Sequence, residues 1–137
     1  MYRECIHCSK KFKYTKPHHL FCSKAHANTY NAGKSWDNFL KKLLYNNAKN
    51  RKKLSVKYLL YLYKKQDGKC ALSGVELTRI TGMGSVPTNA SIDRIRPDGG
   101  YVPGNVRLLC NFVNSFRSNL SDKDFKWWCE KIANGPS

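Results

Sequence analysis

Hydrophobic and polar positions near the middle of the chain follow a pattern that predicts a strand, a loop, a second strand and a helix. Polar and apolar residues are interspersed over 91–95, and β-branched and apolar residues fill 105–110, so each segment is predicted to be a β-strand. Turn-forming residues make up Pro97–Gly100 between them. From Phe112 to Leu120 the apolar residues change to helical spacing. The predicted fold class is therefore α+β, with this unit at its centre.

Amphipathic helices are predicted on both sides of the central unit. Apolar residues recur at helical spacing over 34–51, and the basic residues lie mostly on the remaining surface. Ser55 is a suitable N-cap for a second helix that runs to about Gln66, and Ser121 caps a last helix with Asp124 placed as in a capping box. The last helix carries one apolar stripe, which consists of Phe125, Trp128, Cys129 and Ile132.

The net charge narrows the class of partner. Among 137 residues, 25 Lys and Arg stand against 9 Asp and Glu, which gives a formal net charge of +16. Such a charge favours a polyanion, with nucleic acid first and an anionic membrane surface second. No apolar run approaches the roughly 20 residues that span a membrane, and the N-terminus lacks the apolar region of a signal peptide. We therefore expect a cytoplasmic protein of a bacterial or phage-infected cell, whose six cysteines are metal ligands, core residues or free thiols.

Two pairs of ligand residues near the N-terminus have zinc-binding spacing. Cys5 and Cys8 are separated by two residues, and Cys22 and His26 by three. Cys22 and His26 would share one face of a short helix. We predict one structural zinc held by these four residues, because a closed four-ligand site serves folding and not chemistry. The alternatives are a segment without metal, or a different fourth ligand: His7, His18 or His19.

The central unit supplies what cleavage of a phosphodiester needs, namely a cation, a group that activates water, and positive donors for the phosphate. Asp93 is a hard oxygen ligand suited to magnesium or manganese, and Asn114 offers an amide oxygen. Arg94 and Arg117 would contact the phosphate. Since Asp93 and Asp98 are the carboxylates near this motif, one metal is the economical inference. The alternative for Asp93 is a salt-bridged or turn carboxylate, and for Asn114 a capping amide.

These residues resemble the ββα-metal fold of the HNH endonucleases, or His-Me finger nucleases, in which two strands and a helix hold one divalent cation. The resemblance is strongest to a variant subgroup that includes the restriction enzyme PacI. Its motifs match Ile92-Asp93-Arg94, Gly100-Tyr101, Asn105, and Asn114 followed by Arg117. Residues 66–74 also resemble segments that precede HNH motifs. The resemblance implies a DNA endonuclease with a magnesium or manganese ion on Asp93 and Asn114.

One departure from the ordinary HNH pattern concerns the general base. The residue after the metal-binding aspartate is a histidine in ordinary members, whereas it is Arg94 here, and no histidine follows His26. The resemblance to the variant subgroup nominates Tyr101 as the base with Arg94 beside it, and it places Asn105 and Arg117 in the catalytic set. Because a free phenol loses its proton only in alkaline solution, this role requires nearby cations or the metal. The alternatives are a tyrosine that packs over the turn and an asparagine that bridges the loop.

A second departure concerns the remaining cysteines. HNH domains of this kind often bind another structural zinc through two Cys-x-x-Cys pairs. The equivalent segments here are Cys70–Ser73 and Cys110–Val113, so half of the ligands are missing. We therefore predict one structural zinc per chain, with Cys70 and Cys110 as buried thiols near one another. The first of these segments belongs to a β-hairpin predicted over 70–77.

These observations predict two domains, a zinc-binding finger over 1–33 and an HNH-like nuclease domain over 34–137. The nuclease domain includes helical arms over 33–66 and a C-terminal helix over 121–133. Residues 79–90 lack periodicity, which predicts a loop that is mobile or ordered by DNA.

The sequence thus predicts a metal-dependent endonuclease that acts on double-stranded DNA. A non-catalytic zinc-finger DNA-binding protein is the alternative, and RNA is another candidate substrate. A symmetric cut in both strands would require a homodimer, which the sequence leaves open. Seven basic residues are predicted to contact DNA: Lys41, Lys42, Lys49, Arg51, Lys52, Lys53 and Arg96.

Overall fold

The computed structural model describes residues 1–17, 19–46 and 48–137, which form an α+β fold with two small antiparallel sheets in those ranges. The strands are β1 (Tyr2–Glu4), β2 (Lys11–Lys13), β3 (Ala90–Arg94) and β4 (Val106–Cys110). The helices are α1 (Lys24–Lys34), α2 (Trp36–Asn46), α3 (Ala48–Arg51), α4 (Val56–Lys65), α5 (Asn111–Arg117) and α6 (Asp122–Ala133). Within the described ranges, no helix is both long and apolar enough to cross a membrane. His18, one of the alternative zinc ligands, lies outside them.

The central unit is the predicted strand, loop, strand and helix. β3 and β4 pair antiparallel with Asp93 opposite Arg107, and α5 starts directly at the end of β4. Consecutive residues of β4 are buried, including Leu108 and Leu109, because α4 and α5 both contact the hairpin. Burial on both faces explains why apolar residues fill this strand instead of alternating with polar ones. The predictions for 91–95 and 105–110 are confirmed.

The helical arms complete the core. Ser55 caps α4 as predicted, since its Oγ accepts a hydrogen bond from the Tyr58 N–H at 3.1 Å. α2 and α3 fall within the helix predicted over 34–51, and residue 47 lies outside the described part. α2 packs against α4. α2 and α4 together supply four buried members of the core: Phe39, Leu40, Leu59 and Leu62.

The N-terminal segment consists of a short hairpin followed by α1. The turn between β1 and β2 is closed by two hydrogen bonds, from Cys5 N–H to the Lys10 carbonyl at 3.0 Å and from Ser9 N–H to the Cys5 carbonyl at 2.8 Å. Ser23 then caps α1 by accepting from the His26 N–H at 3.1 Å. α1 runs to Lys34 and packs on α2, so the helix continues through the end of the predicted finger.

Two connecting segments were predicted as a hairpin and as a loop. In place of the regular hairpin predicted over 70–77, there is an isolated bridge between Lys69 and Glu76. In the loop predicted over 79–90, the Asn89 amide exchanges hydrogen bonds of 2.7 and 2.8 Å with the backbone of Ile80. Its Gly82 lies so close to His7 that a Cβ there would come within 2.6 Å of the ring. The absence of periodicity therefore indicated an irregular loop.

The last helix begins as predicted but does not bury its apolar stripe. The Asp124 N–H donates to Ser121 Oγ at 3.2 Å, which is the expected cap. No residue of α6 is buried, and Trp128 and Ile132 are 52% and 78% exposed. An amphipathic helix normally covers such a face.

Candidate active site and metal centre

A small cleft beside β3 and α5 contains most of the residues predicted for catalysis. Its volume is about 60 Å³. It is lined by Asp93, Arg94, Pro97, Tyr101, Asn114, Arg117, Ser118 and Asn119. Grooves of about 480 to 660 Å³ lie elsewhere, but none of these four combines a carboxylate with an amide. The chemistry therefore favours the smaller cleft, and a polymer that lies across the surface needs no deep pocket.

Two guanidinium groups hold Asp93 in place. The carboxylate is 4% exposed; its Oδ2 accepts from Arg107 Nε at 2.9 Å, and its Oδ1 accepts from Arg117 Nη1 at 2.9 Å. The strand register produces the first contact, because Arg107 stands directly opposite Asp93 in the ladder. Each carboxylate oxygen has two acceptor positions. One position on each oxygen thus remains for a cation.

A second carboxylate balances the charge of these arginines. Arg107 donates to both oxygens of Asp122, at 2.6 and 2.7 Å, and Arg117 Nε donates to Asp122 Oδ1 at 3.0 Å. The hydrogen bonds from Arg107 lower the pKa of Asp122, and the same contact raises the pKa of Arg107. Two carboxylates and two guanidinium groups therefore form a neutral network that connects the first turn of α6 to Asp93.

Arg117 is the most buried member of this network. It is 1% exposed, and it also donates to the carbonyls of Arg94 and Ile95 at 3.2 and 2.9 Å. The sequence suggested that Arg117 contacts phosphate. The structure instead engages its donors with the protein, so the side chain fixes the orientation of Asp93 and ties α5 to β3.

Asn114 lies on α5 and faces β3. Its Nδ2 donates to Ser91 Oγ at 3.0 Å and more weakly to the Ile92 carbonyl at 3.4 Å. These contacts use the donor end of the amide. The oxygen is therefore the end left for a ligand in the cleft, beside the carboxylate of Asp93.

Tyr101 has two guanidinium groups over its ring. Arg94 lies 5.2 Å from the ring centroid and Arg51 lies 5.0 Å from it, within the range of cation–π contacts. Arg51 comes from α3 and is anchored by a hydrogen bond from Nη1 to the Leu43 carbonyl at 2.8 Å. The sequence assigned Arg51 to DNA contact. The structure places it beside the candidate base, which supplies the nearby positive charge that this role requires.

Asn105 does not line the cleft. It is 7% exposed, its Oδ1 accepts from the Arg96 N–H at 3.0 Å, and its Nδ2 donates to the Gly100 carbonyl at 2.9 Å. This is the loop-bridging alternative, and it differs from a role in the catalytic set. The amide fixes the loop that leads into Tyr101.

The other predicted DNA-contacting side chains lie at the surface. Lys42 is half-buried, and five are exposed: Lys41, Lys49, Lys52, Lys53 and Arg96. Their exposure leaves them free to contact phosphate.

The predicted zinc ligands come together at the N-terminus. Cys5, Cys8, Cys22 and His26 each offer one ligand atom, and these atoms lie within 4.8 Å of one another. Cys8 Sγ and Cys22 Sγ are 3.7 Å apart, which matches the roughly 3.8 Å between sulfurs in a tetrahedron with Zn–S bonds of about 2.3 Å. His26 Nδ1 is the ring atom that faces the sulfurs, at 2.9 Å from Cys22 Sγ. The cluster therefore fits a structural zinc.

The protonation of this cluster also suits a metal. Desolvation acts to raise the pKa of Cys5, but hydrogen bonds from the backbone of Cys22, Cys8 and His7 and from the His26 ring bring it down to about 5. Desolvation and the neighbouring thiols raise the pKa of Cys22 to about 11. One thiolate is thus favoured in the absence of metal, and a cation would favour the others.

Cys70 and Cys110 are buried as predicted, and they interact with one another. The turn that contains Cys70 repeats the backbone of the zinc turn, with Cys70 N–H bonded to the Val75 carbonyl at 2.8 Å and Gly74 N–H bonded to the Cys70 carbonyl at 2.9 Å. Ser73 occupies the position that Cys8 has in the zinc turn. That one zinc binds per chain stays a prediction.

Arg107 and Asp122 were not among the site residues predicted from the sequence. Arg107 carried a signal, because a charged residue interrupts the otherwise apolar strand over 105–110. That signal gains meaning only when the register places it opposite Asp93. Asp122 lies in the first turn of a helix, where an acidic residue is expected in any case, so no feature of the sequence assigned it to the site. Its contact with two arginines is long-range and has no local signature.

Comparison with known proteins supports the fold. No protein-family model matches the sequence, and a search of curated proteins finds no match. Among solved structures, the chain is similar to the rare-cutting HNH restriction endonuclease PacI, which perturbs DNA. The alignment covers 96% of this chain and 93% of that one, with a TM-score of 0.51 and 21% identity. The resemblance drawn from the sequence is confirmed in structure: this chain has the fold of an HNH restriction endonuclease.

Proposed function

We propose that this protein is a metal-dependent endonuclease that hydrolyses phosphodiester bonds of double-stranded DNA, with one divalent cation per active site. The observation that carries the proposal is the cleft, which joins Asp93, Arg94, Tyr101 and Asn114 in a chain with the fold of an HNH restriction endonuclease. The net charge of +16 supports a polyanionic substrate.

Asp93 and Asn114 would hold the cation. Both line the same cleft, and a carboxylate with an amide oxygen is a donor set that fits magnesium or manganese. A bound cation would stabilise the negative charge that develops on the phosphate and the leaving oxygen. Arg107 and Arg117 position the carboxylate, and Asp122 offsets their charge, so that the cleft keeps an affinity for a cation.

Tyr101 is our candidate for the general base. A water oxygen forms the new bond to phosphorus while the bond from phosphorus to the leaving oxygen breaks. The proton of that water passes to the phenolate oxygen of Tyr101, and the leaving oxygen takes a proton from solvent. Arg51 and Arg94 stabilise the phenolate through their positions over the ring. Arg94 makes one weak hydrogen bond, of 3.4 Å to the Gly99 carbonyl, so it retains donors for the phosphate.

The zinc site would serve folding. A zinc ion on Cys5, Cys8, Cys22 and His26 closes the N-terminal hairpin onto the start of α1, and α1 packs on α2. We therefore propose that the finger over 1–33 stabilises the helical arms and that the domain over 34–137 carries out the chemistry.

Plasmid nicking tests the proposal. The wild-type protein with magnesium or manganese is expected to nick supercoiled plasmid. Asp93→Ala should lose nicking, and Asn114→Ala should lose it at the metal concentration that half-saturates the wild type. Both variants should retain affinity for the same DNA without added divalent ions. Zinc content and circular dichroism serve as controls for folding. Absence of nicking by the wild type under every divalent ion would overturn the proposal.

The second candidate is a zinc-finger DNA-binding protein without catalysis. The observation that favours it is the pairing of Asp93 with two arginines, which is also the geometry of a structural salt bridge. This candidate predicts DNA binding without any divalent-dependent nicking. Structured RNA as competitor distinguishes the nucleic acids, since RNA that displaces duplex DNA at equal concentration would make RNA the substrate.

We propose a homodimer that forms through α6. The helix exposes Trp127, Trp128 and Ile132 to 49, 52 and 78%. With Phe125, such side chains present on the order of 400 Å² of apolar surface, comparable with the apolar share of a standard interface of about 800 Å² per partner. α6 carries three acidic and three basic residues, so it is neutral within a chain of net charge +16. A neutral apolar face suits a second copy of this chain better than it suits DNA.

Sedimentation tests the dimer. Salt should strengthen association, because it screens repulsion between two positively charged copies, while it weakens binding to DNA. Trp128→Asp and Ile132→Asp are expected to give monomers, and the exposed Lys126→Ala on the same helix is the control. A wild-type protein that stays monomeric at every salt concentration would contradict this assignment.

A further inference from the structure

Helix α6 is anchored to the rest of the chain mainly at its first residue. Within residues 48–137, which the structure describes without a gap, Asp122 and Phe125 are the half-buried residues of the helix and the others are exposed. Asp122 is also the residue of α6 whose side chain forms hydrogen bonds outside the helix, with Arg107 of β4 and Arg117 of α5. One carboxylate therefore provides the polar anchor of this helix.

The same anchor adjoins the predicted cation site. Arg107 Nε and Arg117 Nη1 each donate to one oxygen of Asp93 at 2.9 Å. The other two nitrogens of Arg107 donate to the two oxygens of Asp122, at 2.7 and 2.6 Å. Each guanidinium group thus bridges a carboxylate of the cleft and the carboxylate of α6. The position of Asp122 consequently determines where the donors of Arg107 point.

Departure of Asp122 would change the cleft in two ways. The two guanidinium groups would then face Asp93 alone, so excess positive charge would lie beside the site for a cation. The nitrogens of Arg107 released from Asp122 would also compete for the acceptor positions on Asp93 that are otherwise left for the ion. Both changes weaken binding of a divalent cation. The affinity of the cleft for the ion therefore depends on whether α6 is docked.

Docking of α6 in turn depends on what covers its apolar face. Trp127, Trp128 and Ile132 are 49, 52 and 78% exposed. Most of the stability of an amphipathic helix comes from the packing of its apolar face, so a helix with this face uncovered opens at a low cost in free energy. A second copy of the chain packed on the face would bury these side chains. It would thereby hold α6, and Asp122 with it, in the docked position.

We propose that α6 couples the pairing of two copies to cation binding, with Asp122 as the positioning residue that transmits the coupling. The inference rests on the proposed function for the second copy on α6 and for the cation on Asp93. In the dimer, Asp122 stays on both arginines and the cleft accepts the ion. In a separated copy, α6 exchanges between docked and undocked positions, and the ion binds less tightly.

Such a coupling is reciprocal, which provides a measurement that does not involve cleavage. If pairing raises the cation affinity of a cleft by a given factor, the cation strengthens pairing by the same factor at each of the two clefts. Couplings between sites are typically about 5- to 150-fold. We expect at least about fivefold at each cleft, so saturating manganese should lower the dissociation constant of the dimer by at least about 25-fold.

Two measurements on zinc-loaded protein without DNA, at one salt concentration, test the proposal. Sedimentation equilibrium gives the dissociation constant of the dimer with and without manganese. Electron paramagnetic resonance of unbound manganese gives its affinity at protein concentrations above and below that constant. We expect at least about fivefold tighter binding above it. Asp93→Ala identifies the bound manganese that belongs to the cleft, because that fraction should disappear.

Variants of α6 separate positioning from a purely structural role. Asp122→Asn should bind manganese weakly at every protein concentration and abolish the effect of manganese on pairing, whereas Asp122→Glu should restore part of both. Asp124→Asn is the matched control, since it removes the same charge from an exposed residue of the same turn and should behave as the wild type. Trp128→Asp leaves the network intact and should bind manganese as weakly as the separated wild type. Circular dichroism verifies folding.

Equal manganese affinity above and below the dissociation constant, or wild-type coupling in Asp122→Asn, would overturn the inference. So would a wild type that never dimerises, or manganese binding that survives Asp93→Ala. A protein that shows the coupling but never nicks DNA would retain this inference and refute the endonuclease. One that nicks plasmid with the same requirement for manganese at every protein concentration would do the reverse.

Discussion

The N-terminal cluster and the Asp93 cleft both bring ligand atoms together, and they are built in opposite ways. In the cluster, sulfur and nitrogen ligands from two local pairs face one another within 4.8 Å. In the cleft, oxygen ligands from a strand and a helix are separated by twenty residues of sequence and meet only in the fold. The first site is closed and suits a structural ion, whereas the second has open coordination and suits chemistry.

The turn at Cys70 can be compared with the zinc turn at Cys5. The turns that begin at Cys5 and Cys70 share the same pair of backbone hydrogen bonds and a residue with positive φ at the fifth position, Ser9 or Gly74. One turn adds Cys8, and the other has Ser73 at that position. The backbone of a zinc turn is therefore retained where its ligands are incomplete, and Cys70 is buried there.

The largest effect is expected from removal of a zinc ligand. Cys22→Ser should lower bound zinc from about one per chain to near zero. It should also unfold the N-terminal segment, because binding of structural zinc contributes about 10 kcal/mol or more to small metal-dependent folds. Elemental analysis and limited proteolysis measure both. Cys70→Ser is the matched change in the other turn and should leave the zinc content unaltered; two zinc ions per wild-type chain would break the comparison.

Substitution of Arg117 should mainly lower the stability of the fold, whereas substitution of Arg94 should mainly slow cleavage. Arg117→Ala leaves the buried Asp93 with one partner fewer, and truncating one member of a buried pair costs about 3 to 5 kcal/mol. Arg94→Ala should have little effect on the free energy of unfolding but should slow cleavage. Denaturant titration and a cleavage assay on both variants measure this. A stable Arg117→Ala protein would return that arginine to the phosphate-binding role.

Tyr101→Phe tests the candidate base. Loss of a general base usually slows a reaction about 10²- to 10⁴-fold, so cleavage should fall by at least about 10²-fold while DNA affinity is unchanged. Arg51→Gln should produce a smaller reduction, because one of the two cations beside the phenol is lost. Near-normal turnover of Tyr101→Phe would remove the tyrosine from the mechanism.

The smallest effect concerns Asp122 in acid. Its pKa is lowered by Arg107 from the ordinary value of 3.8, so its contribution to stability is complete above that pH and is lost as the pH falls through the folded value. Asp122→Asn should cost about 1 to 2 kcal/mol near neutral pH, discounted because the carboxylate is partly exposed. The difference from wild type should shrink as the pH falls below about 4. Acid also protonates the zinc ligands and releases the metal from both proteins. Comparing the two proteins at each pH removes this shared contribution.

The sequence predicted what local pattern determines. The periodicity of apolar residues and the helix N-caps identified β3, β4, α4 and α5. The short spacing of the ligand residues identified the zinc cluster. Contacts between distant segments were beyond it: the register that pairs Arg107 with Asp93, the return of Asp122 to both arginines, and the reach of Arg51 from α3 to Tyr101. The apolar stripe of α6 was recognised correctly as a stripe, but a stripe does not reveal whether its cover lies within the same chain.

The concentration of manganese that gives half-maximal cleavage of one duplex is the most direct test of the central claim, that Asp93 and Asn114 hold the catalytic cation. Asn114→Ala removes one direct ligand. Loss of an outer-shell partner of a metal ligand already weakens metal binding about 10- to 100-fold, and loss of a direct ligand should cost at least as much. We therefore predict that the half-maximal concentration rises by at least about tenfold while the zinc content stays unchanged. An Asn114→Ala protein with wild-type rate and wild-type dependence on manganese would contradict the account.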